Sequence, residues 1–289
     1  MIQIASDALT AAIKPEGAEL CRLRDAAGRE FLWNAGPAWP RHAPVLFPIV
    51  GRLAGDGLNH AGRRYPMRQH GFARDRTFTL IDQAPDRCAF RLTDGAETHA
   101  AYPFAFALDI HYAVAGGRLS ADYRLSNPGP EPLPASLGAH PAFRWPLPGA
   151  EGRPHALSFE SDEPAPIRRL QDGLLLPEPQ PSPIEGRRLA LSPALFEADA
   201  MILDQPHSRA VEYRAEGGPR GGSGLRFAFT GFPHLGLWSK PGGADFLCIE
   251  PWQGFASPLG WDGEFTDKPG LVTLPPGGEF RAGWSVELL

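Results

Sequence analysis

Glycine and proline set the first limit on what this chain can fold into. The 289 residues include 33 glycines and 32 prolines, about 22% together against a usual share near 12%. Proline lacks the amide hydrogen of a helix ladder and clashes with the preceding turn, while glycine weakens helices through backbone entropy. A chain punctuated this often is not a long-helix protein. The glycines and prolines follow no triplet repeat, so collagen is excluded. A hydrophobic fraction of 43% and an aromatic fraction of 10% exclude a disordered chain. No apolar run reaches the length of a transmembrane helix, so no membrane partner is expected. What remains is an all-β protein rich in turns.

The distribution of apolar residues agrees. Short alternating or continuous runs recur between turn signals, about fifteen in all, from Ile2–Ala5 and Leu9–Ile13 to Leu271–Leu274 and Phe280–Leu288. Two pairs read as hairpins: Phe78–Ile81 with Arg87–Leu92 around QAPD, and Phe104–Val114 with Leu119–Leu125 around AGG. This pattern predicts an antiparallel sandwich or barrel. Helical periodicity is nearly absent, with one short helix expected over Pro193–Ala200 behind a Ser192 cap. No βαβ alternation is visible, which disfavours a parallel doubly wound sheet. The proline-rich stretch Asp162–Arg188 reads as a surface excursion within a single domain spanning residues 1–289.

Charge and cysteines narrow the function classes. A net charge of −5 exerts no global pull on nucleic acid or membranes. Three widely spaced cysteines signal neither a disulfide framework nor a zinc site. The start MIQIASDALTA lacks a basic and then apolar leader, so the default location is the cytoplasm. No pattern selects an oligomeric state. The Arg41–Arg76 stretch holds seven arginines. It reads either as a solvated face or as a region that attracts an anionic substrate such as a sugar phosphate.

Four segments place polar residues where apolar runs meet turns. In VLFPIVGRL, Arg52 follows Gly51. In QHGFARD, His70 precedes Gly71, which permits a sharp turn, and Arg74 lies four residues on. In SLGAHPAFRW, His140 precedes Pro141. In FLCIEPWQGF, Glu250 ends an apolar strand beside Pro251 and Trp252. A carboxylate in that setting is desolvated, which raises its pKa and suits it to act as a base near neutral pH. Alternatively, it is one half of a structural ion pair. His140 and His70 taken singly read first as core histidines bonded to backbone. Together, two histidines, a carboxylate and arginines suit a pocket that grips hydroxyls and moves protons. Trp252 and Phe72 offer faces for a sugar ring. No zinc-protease, nucleophile-elbow, phosphate-loop or dinucleotide motif occurs.

Taken in order, FPIVGRL, QHGFARD, SLGAHPAF and CIEPWQG resemble the aldose 1-epimerase (galactose mutarotase) family, in its LacX-like branch. Asn127–Pro128 and the ending DKPGLVTLPPGGEF add to the likeness. The resemblance implies a large antiparallel β-supersandwich with a sugar cleft on one sheet face. It implies interconversion of α and β anomers of a small-molecule sugar, without cofactor or metal. By motif position, Glu250 is the implied base at the anomeric hydroxyl and His140 the implied acid at the ring oxygen. His70 and Arg52 are implied to bind the sugar, and Asp204, in MILDQP, is a further binding candidate. A sister group that acts on hexose 6-phosphates shares HGFAR, which makes Arg74 a candidate phosphate ligand. A non-catalytic sugar-binding protein on the same fold is the third reading.

Overall fold

The computed structural model describes residues 1–217 and 224–289. Alternating side chains generate two large antiparallel sheets. The nine-stranded sheet runs in the order Arg188–Ala190, His155–Phe159, Ala210–Ala215, Gly224–Thr230, Glu279–Leu288, Arg118–Ser126, Ala107–Ala115, Arg87–Thr93 and Thr79–Ala84. Arg118–Ser126 shows why the sheet forms. Leu119, Ala121, Tyr123 and Leu125 are buried, while Arg118 and Asp122 between them are exposed.

The second sheet has seven strands. Its path is Ile167–Arg168, Met201–Asp204, His234–Trp238, Phe246–Gln253, Leu137–Ala139 and Val45–Leu46. Ala142–Arg144 also pairs with Phe246–Gln253. The two sheets share one apolar core. Phe143 meets Phe227 edge-on at 5.9 Å, and Phe227 stacks on Trp284 at 5.5 Å. Each such buried aromatic contributes about 1.5–3 kcal/mol of transfer free energy. Leu235, Leu237, Leu247 and Ile249 join the same core from the seven-stranded side. A three-stranded sheet, Ile2–Ala5, Leu9–Lys14 and Glu19–Asp25, lies alongside, where the Tyr112 hydroxyl donates to Ala18 O at 2.9 Å.

The all-β antiparallel fold and both hairpins agree with the sequence patterns. Three details differ. The helix over Pro193–Ala200 is a single 3₁₀ turn, Pro193–Phe196, and the Ser192 side chain makes no capping bond. Several short strands escape the pattern, among them Val45–Leu46, Gly57–His60, Arg63–Pro66, Leu133–Ala135, Leu137–Ala139, Ala142–Arg144, Ile167–Arg168 and Arg188–Ala190. Runs of two to four residues are too short to display a period. The Asp162–Arg188 excursion is also more than surface. It contains a small hairpin, Leu170–Gln171 with Leu174–Leu175, whose tip reaches a cleft over the seven-stranded sheet. Among the described residues no helix is long and apolar enough to cross a membrane.

Candidate active site

Side-chain parity in the seven-stranded sheet decides which residues meet. In Phe246–Gln253, Leu247 and Ile249 enter the main core. Phe246, Cys248, Glu250 and Trp252 therefore point to the opposite face, where Phe246, Cys248 and Trp252 join two smaller apolar clusters. The neighbouring strand is interrupted. Gly138 pairs with Trp252 on one side of the break and Ala142 with Cys248 on the other, in a single register. His140 consequently falls opposite Glu250. Pro141 and Pro251 lack amide hydrogens, so a regular ladder cannot close here. One bond, Ile249 N–H to Pro141 O at 3.2 Å, spans the gap.

His140 Nε2 lies 3.2 Å from Glu250 Oε2. The two residues are only 6% and 1% exposed. Trp39 stacks on the His140 ring at 4.8 Å, with 26° between planes, and Trp238 meets it edge-on at 5.8 Å. Burial, then the Arg74 charge, pulls the His140 imidazole down to about 3. Burial pushes the Glu250 carboxyl well above its ordinary range. Asp199 adds to that rise, and the Trp252 indole opposes it. The pair favours an uncharged carboxylic acid beside an uncharged imidazole, with one proton shared between two groups.

His70 reaches the site by a left-handed turn. Its φ is 64° and that of Gly71 is 71°. A Cβ on Gly71 would lie 2.2 Å from Phe47 O, so only glycine fits. His70 N–H donates to Gly51 O at 2.7 Å, and Gly51 N–H donates to His70 Nδ1 at 3.1 Å. With Nδ1 accepting, the neutral ring carries its proton on Nε2, which makes Nε2 a donor for a ligand oxygen. The ring meets His140 at 5.6 Å, and burial, then His140, pulls its imidazole well below the ordinary value.

Arg74 donates from Nη2 to Gln69 O at 2.6 Å, while its buried Nε has no hydrogen-bond partner. Burial and Arg41 pull its guanidinium down to about 10, so it remains cationic at neutral pH. Trp252 lies across its neighbours because two of them are glycines. A Cβ on Gly138 or Gly236 would come within 2.7 or 2.5 Å of the indole. These groups line a cleft of about 680 Å³ together with Trp39, Gln69, Asp172, Glu197, Asp199 and Trp238. The arrangement offers a shared proton on a buried floor, polar donors and acceptors around it, and aromatic walls.

The profile described as aldose 1-epimerase matches residues 1–270. The chain belongs to the aldose 1-epimerase family. It is 32% identical to protein LacX (plasmid) of Lactococcus lactis subsp. lactis, over 100% of this chain and 99% of that one. The galactose mutarotase related enzyme of Lactobacillus acidophilus superposes with a TM-score of 0.89 at 31% identity, covering 99% of this chain and 96% of the other. A galactose mutarotase-like protein of Lactobacillus casei gives 0.91 at 30% identity, over all of both chains.

Against this family background, five of the residues singled out in the sequence come together at the cleft: His70, Arg74, His140, Glu250 and Trp252. Two take other positions. Arg52 forms a two-point pair with Asp56 at 2.7 and 2.8 Å and donates to Asp172 O at 3.1 Å. It thus holds the tip of the small hairpin at the cleft rim. Asp204 shares the sheet face but sits one row away, with Oδ1 2.8 Å from His234 Nδ1 and its carboxyl held low by that contact. Phe72 packs in the interior against Phe47. Sequence reasoning missed Trp39, Trp238, Gln69, Asp172, Glu197 and Asp199. The isolated Trp39 in a Gly/Pro-rich loop and the Asp172-Gly173 turn pair were the available signals.

Among the described residues, two clusters bring metal-ligand atoms within 4.8 Å of one another: His140, Cys248 and Glu250, and Glu19, Cys21 and His42. Burial pushes the Cys248 thiol well up and the Cys21 thiol to about 11, so both stand as protonated thiols in this fold. Lys14 Nζ, 2.5 Å from Glu19 Oε2, already provides the cation in the second.

Proposed function

We propose that this protein is an aldose 1-epimerase that interconverts the α and β anomers of an aldohexose. The observation that carries the reading is the direct opposition of His140 and Glu250 on the cleft floor. An anomeric centre bears two oxygens on one carbon, the hydroxyl O1 and the ring oxygen O5. An acid and a base only 3.2 Å apart suit such a pair of oxygens.

In ring opening, the Glu250 carboxylate takes the O1 proton and His140 delivers its proton to O5. The C1–O5 electron pair goes to O5, and the O1–H pair completes the carbonyl. Rotation about C1–C2 presents the other carbonyl face. On closure the roles reverse: Glu250 returns a proton to O1 while His140 takes one from O5. One shared proton serves the whole cycle, resting on His140 before opening and on Glu250 after it. Burial of both groups favours the second arrangement. Sugar hydroxyls donating to the Glu250 carboxylate would favour the first. His70 Nε2–H and Arg74 are the proposed hydroxyl donors, and Trp252 a stacking surface. Positioned acid–base groups of this kind contribute roughly 10²–10⁴-fold each. No cofactor enters these steps.

Arg74 keeps a hexose 6-phosphate in play as a second reading, because its buried Nε makes no hydrogen bond and its nearest carboxylate, Asp75 Oδ2, stands off at 4.0 Å. Charge balance favours the neutral sugar. Asp172, Glu197 and Asp199 line the same cleft and repel a phosphate. The core draws on residues from Ile4 to Val286, which supports treating 1–289 as one unit. Three unpaired buried cysteines suit a reducing cytoplasm.

The test follows equilibration of pure α-glucose, α-galactose and α-glucose 6-phosphate by polarimetry or NMR. Acceleration lost in Glu250→Gln and in His140→Asn is the expected result. A faster reaction with the phosphate ester would reverse the order of the two readings. Sugar binding without acceleration would leave only a binding protein.

A further inference from the structure

The ring of His140 is held in an unusual way. Its Nδ1 is buried and makes no hydrogen bond to any other residue. Catalytic histidines are commonly oriented by a carboxylate or carbonyl on the second nitrogen. Here aromatic contacts take that place. Trp39 covers one face of the ring, and Trp238 and His70 meet it edge-on.

Trp39 arrives from outside the sheet. It sits in the loop between Trp33 and Ala43, and that loop is tied down along its length. Trp33 Nε1–H donates to Trp39 O at 2.8 Å, and Trp39 N–H donates to Gly36 O at 3.0 Å. The His42 and Ala43 amides donate to the buried Glu19 carboxylate at 2.7 and 3.0 Å. Arg41 reaches Asp75 at 2.9 Å. The indole also packs on Phe246 at 5.5 Å and meets Trp238 edge-on at 5.7 Å. The indole face turned to His140 is therefore closed to a sugar.

We infer that Trp39 is a positioning residue for proton transfer, fixing the plane of the His140 ring and keeping water from it. The inference rests on the epimerase reading, and it separates two roles for Trp39. A sugar platform would contribute to binding and appear in KM. A support for the acid would contribute to the chemical step and appear in kcat. Removing the indole would admit water to a ring whose titratable and charged neighbours are Glu250 and Cys248 across the strand, Arg74 and Arg41, and His70 edge-on. Solvation then favours the imidazolium, so the His140 titration moves upward.

The experiment compares Trp39→Ala, Trp39→Leu and Trp39→Phe with the unaltered protein. For Ala and Leu, kcat should fall on the order of 10- to 100-fold with KM little changed. Phe keeps an aromatic face and should retain most of the rate. In parallel, the His140 Hε1 resonance is titrated by NMR, a readout that needs no turnover. It should titrate at higher pH in Ala and Leu than in the unaltered protein. A raised KM with kcat intact, or an unmoved His140 titration, overturns the inference. If the unaltered protein proves not to be an epimerase, the NMR comparison still decides whether Trp39 sets the state of His140. Leu preserves bulk, so a folding defect confined to Ala leaves the comparison standing.

Discussion

His140 and Glu250 occupy directly opposed positions on neighbouring strands, with 3.2 Å between Nε2 and Oε2. The register is the same on both sides of the break at Pro141, so the opposition is a property of the sheet rather than of flexible side chains. Rigid strands hold an acid–base pair more tightly than loops can. In the proposed mechanism the two act as one proton-sharing unit.

The unit should fail as a unit. Glu250→Gln and His140→Asn should each lower kcat by roughly 10²–10⁴-fold. The double variant should lie close to the worse single one, because removing either member stops the shared transfer. Mutarotation rates of the three variants form the cycle. Strictly additive losses in log kcat would mean the two residues act independently.

The pH profile should be broad. The pair works with one proton. It gains a second only as His140 is protonated, at about 3. It loses its last proton when Glu250 ionises, and burial places that step well above the ordinary carboxylate range. kcat/KM, which reports the free protein, should therefore stay level through mildly acid pH and fall on the alkaline side at the raised Glu250 value. Polarimetry at low buffer concentration, with circular dichroism at each pH, measures this. An acid limb centred at an ordinary histidine value would contradict it.

Gly236→Ala should damage stability and cleft shape together. The added Cβ would stand 2.5 Å from the Trp252 ring. Overpacking at such a contact costs about 1–3 kcal/mol. Urea unfolding should show that loss, and the displaced indole should raise KM. Unchanged unfolding and KM would show that Trp252 can yield at no cost.

Lys268 should leave a mark on stability against pH. It is 3% exposed and donates to Phe255 O at 2.6 Å and Pro269 O at 3.1 Å. Burial pulls its ammonium down to about 7. Its pKa in the unfolded chain is the higher one, so between about 7 and 10 the unfolded state binds more protons. The cost of the buried charge is present in full below that window, and stability rises with pH across it. Lys268→Met should flatten this rise. Urea unfolding of both proteins from pH 6 to 10 reads the difference in slope. Parallel curves would mean the ammonium stays charged on its two carbonyls.

Much of this protein is legible along the chain because the signals are local. Strand periodicity, turn residues and the absence of helical spacing set an all-β antiparallel fold. The same local reading marks His70, His140 and Glu250, each at a Gly or Pro that ends a run. Contacts between distant segments leave no such local mark. Only the tertiary register sets His140 opposite Glu250, 110 positions apart in sequence. Trp39, Asp172 and Asp199 lie in loops with no periodic signal, and only packing brings them to the cleft. Arg52 and Asp204 show the converse. The resemblance implies both as sugar ligands, while in the fold Arg52 pairs with Asp56 and Asp204 Oδ1 lies 2.8 Å from His234 Nδ1. Local sequence determines which residues can form a strand and where it stops. Which polar groups finally face each other depends on long-range pairing, since an ionic or hydrogen-bonding group is held by whichever partner the fold brings closest.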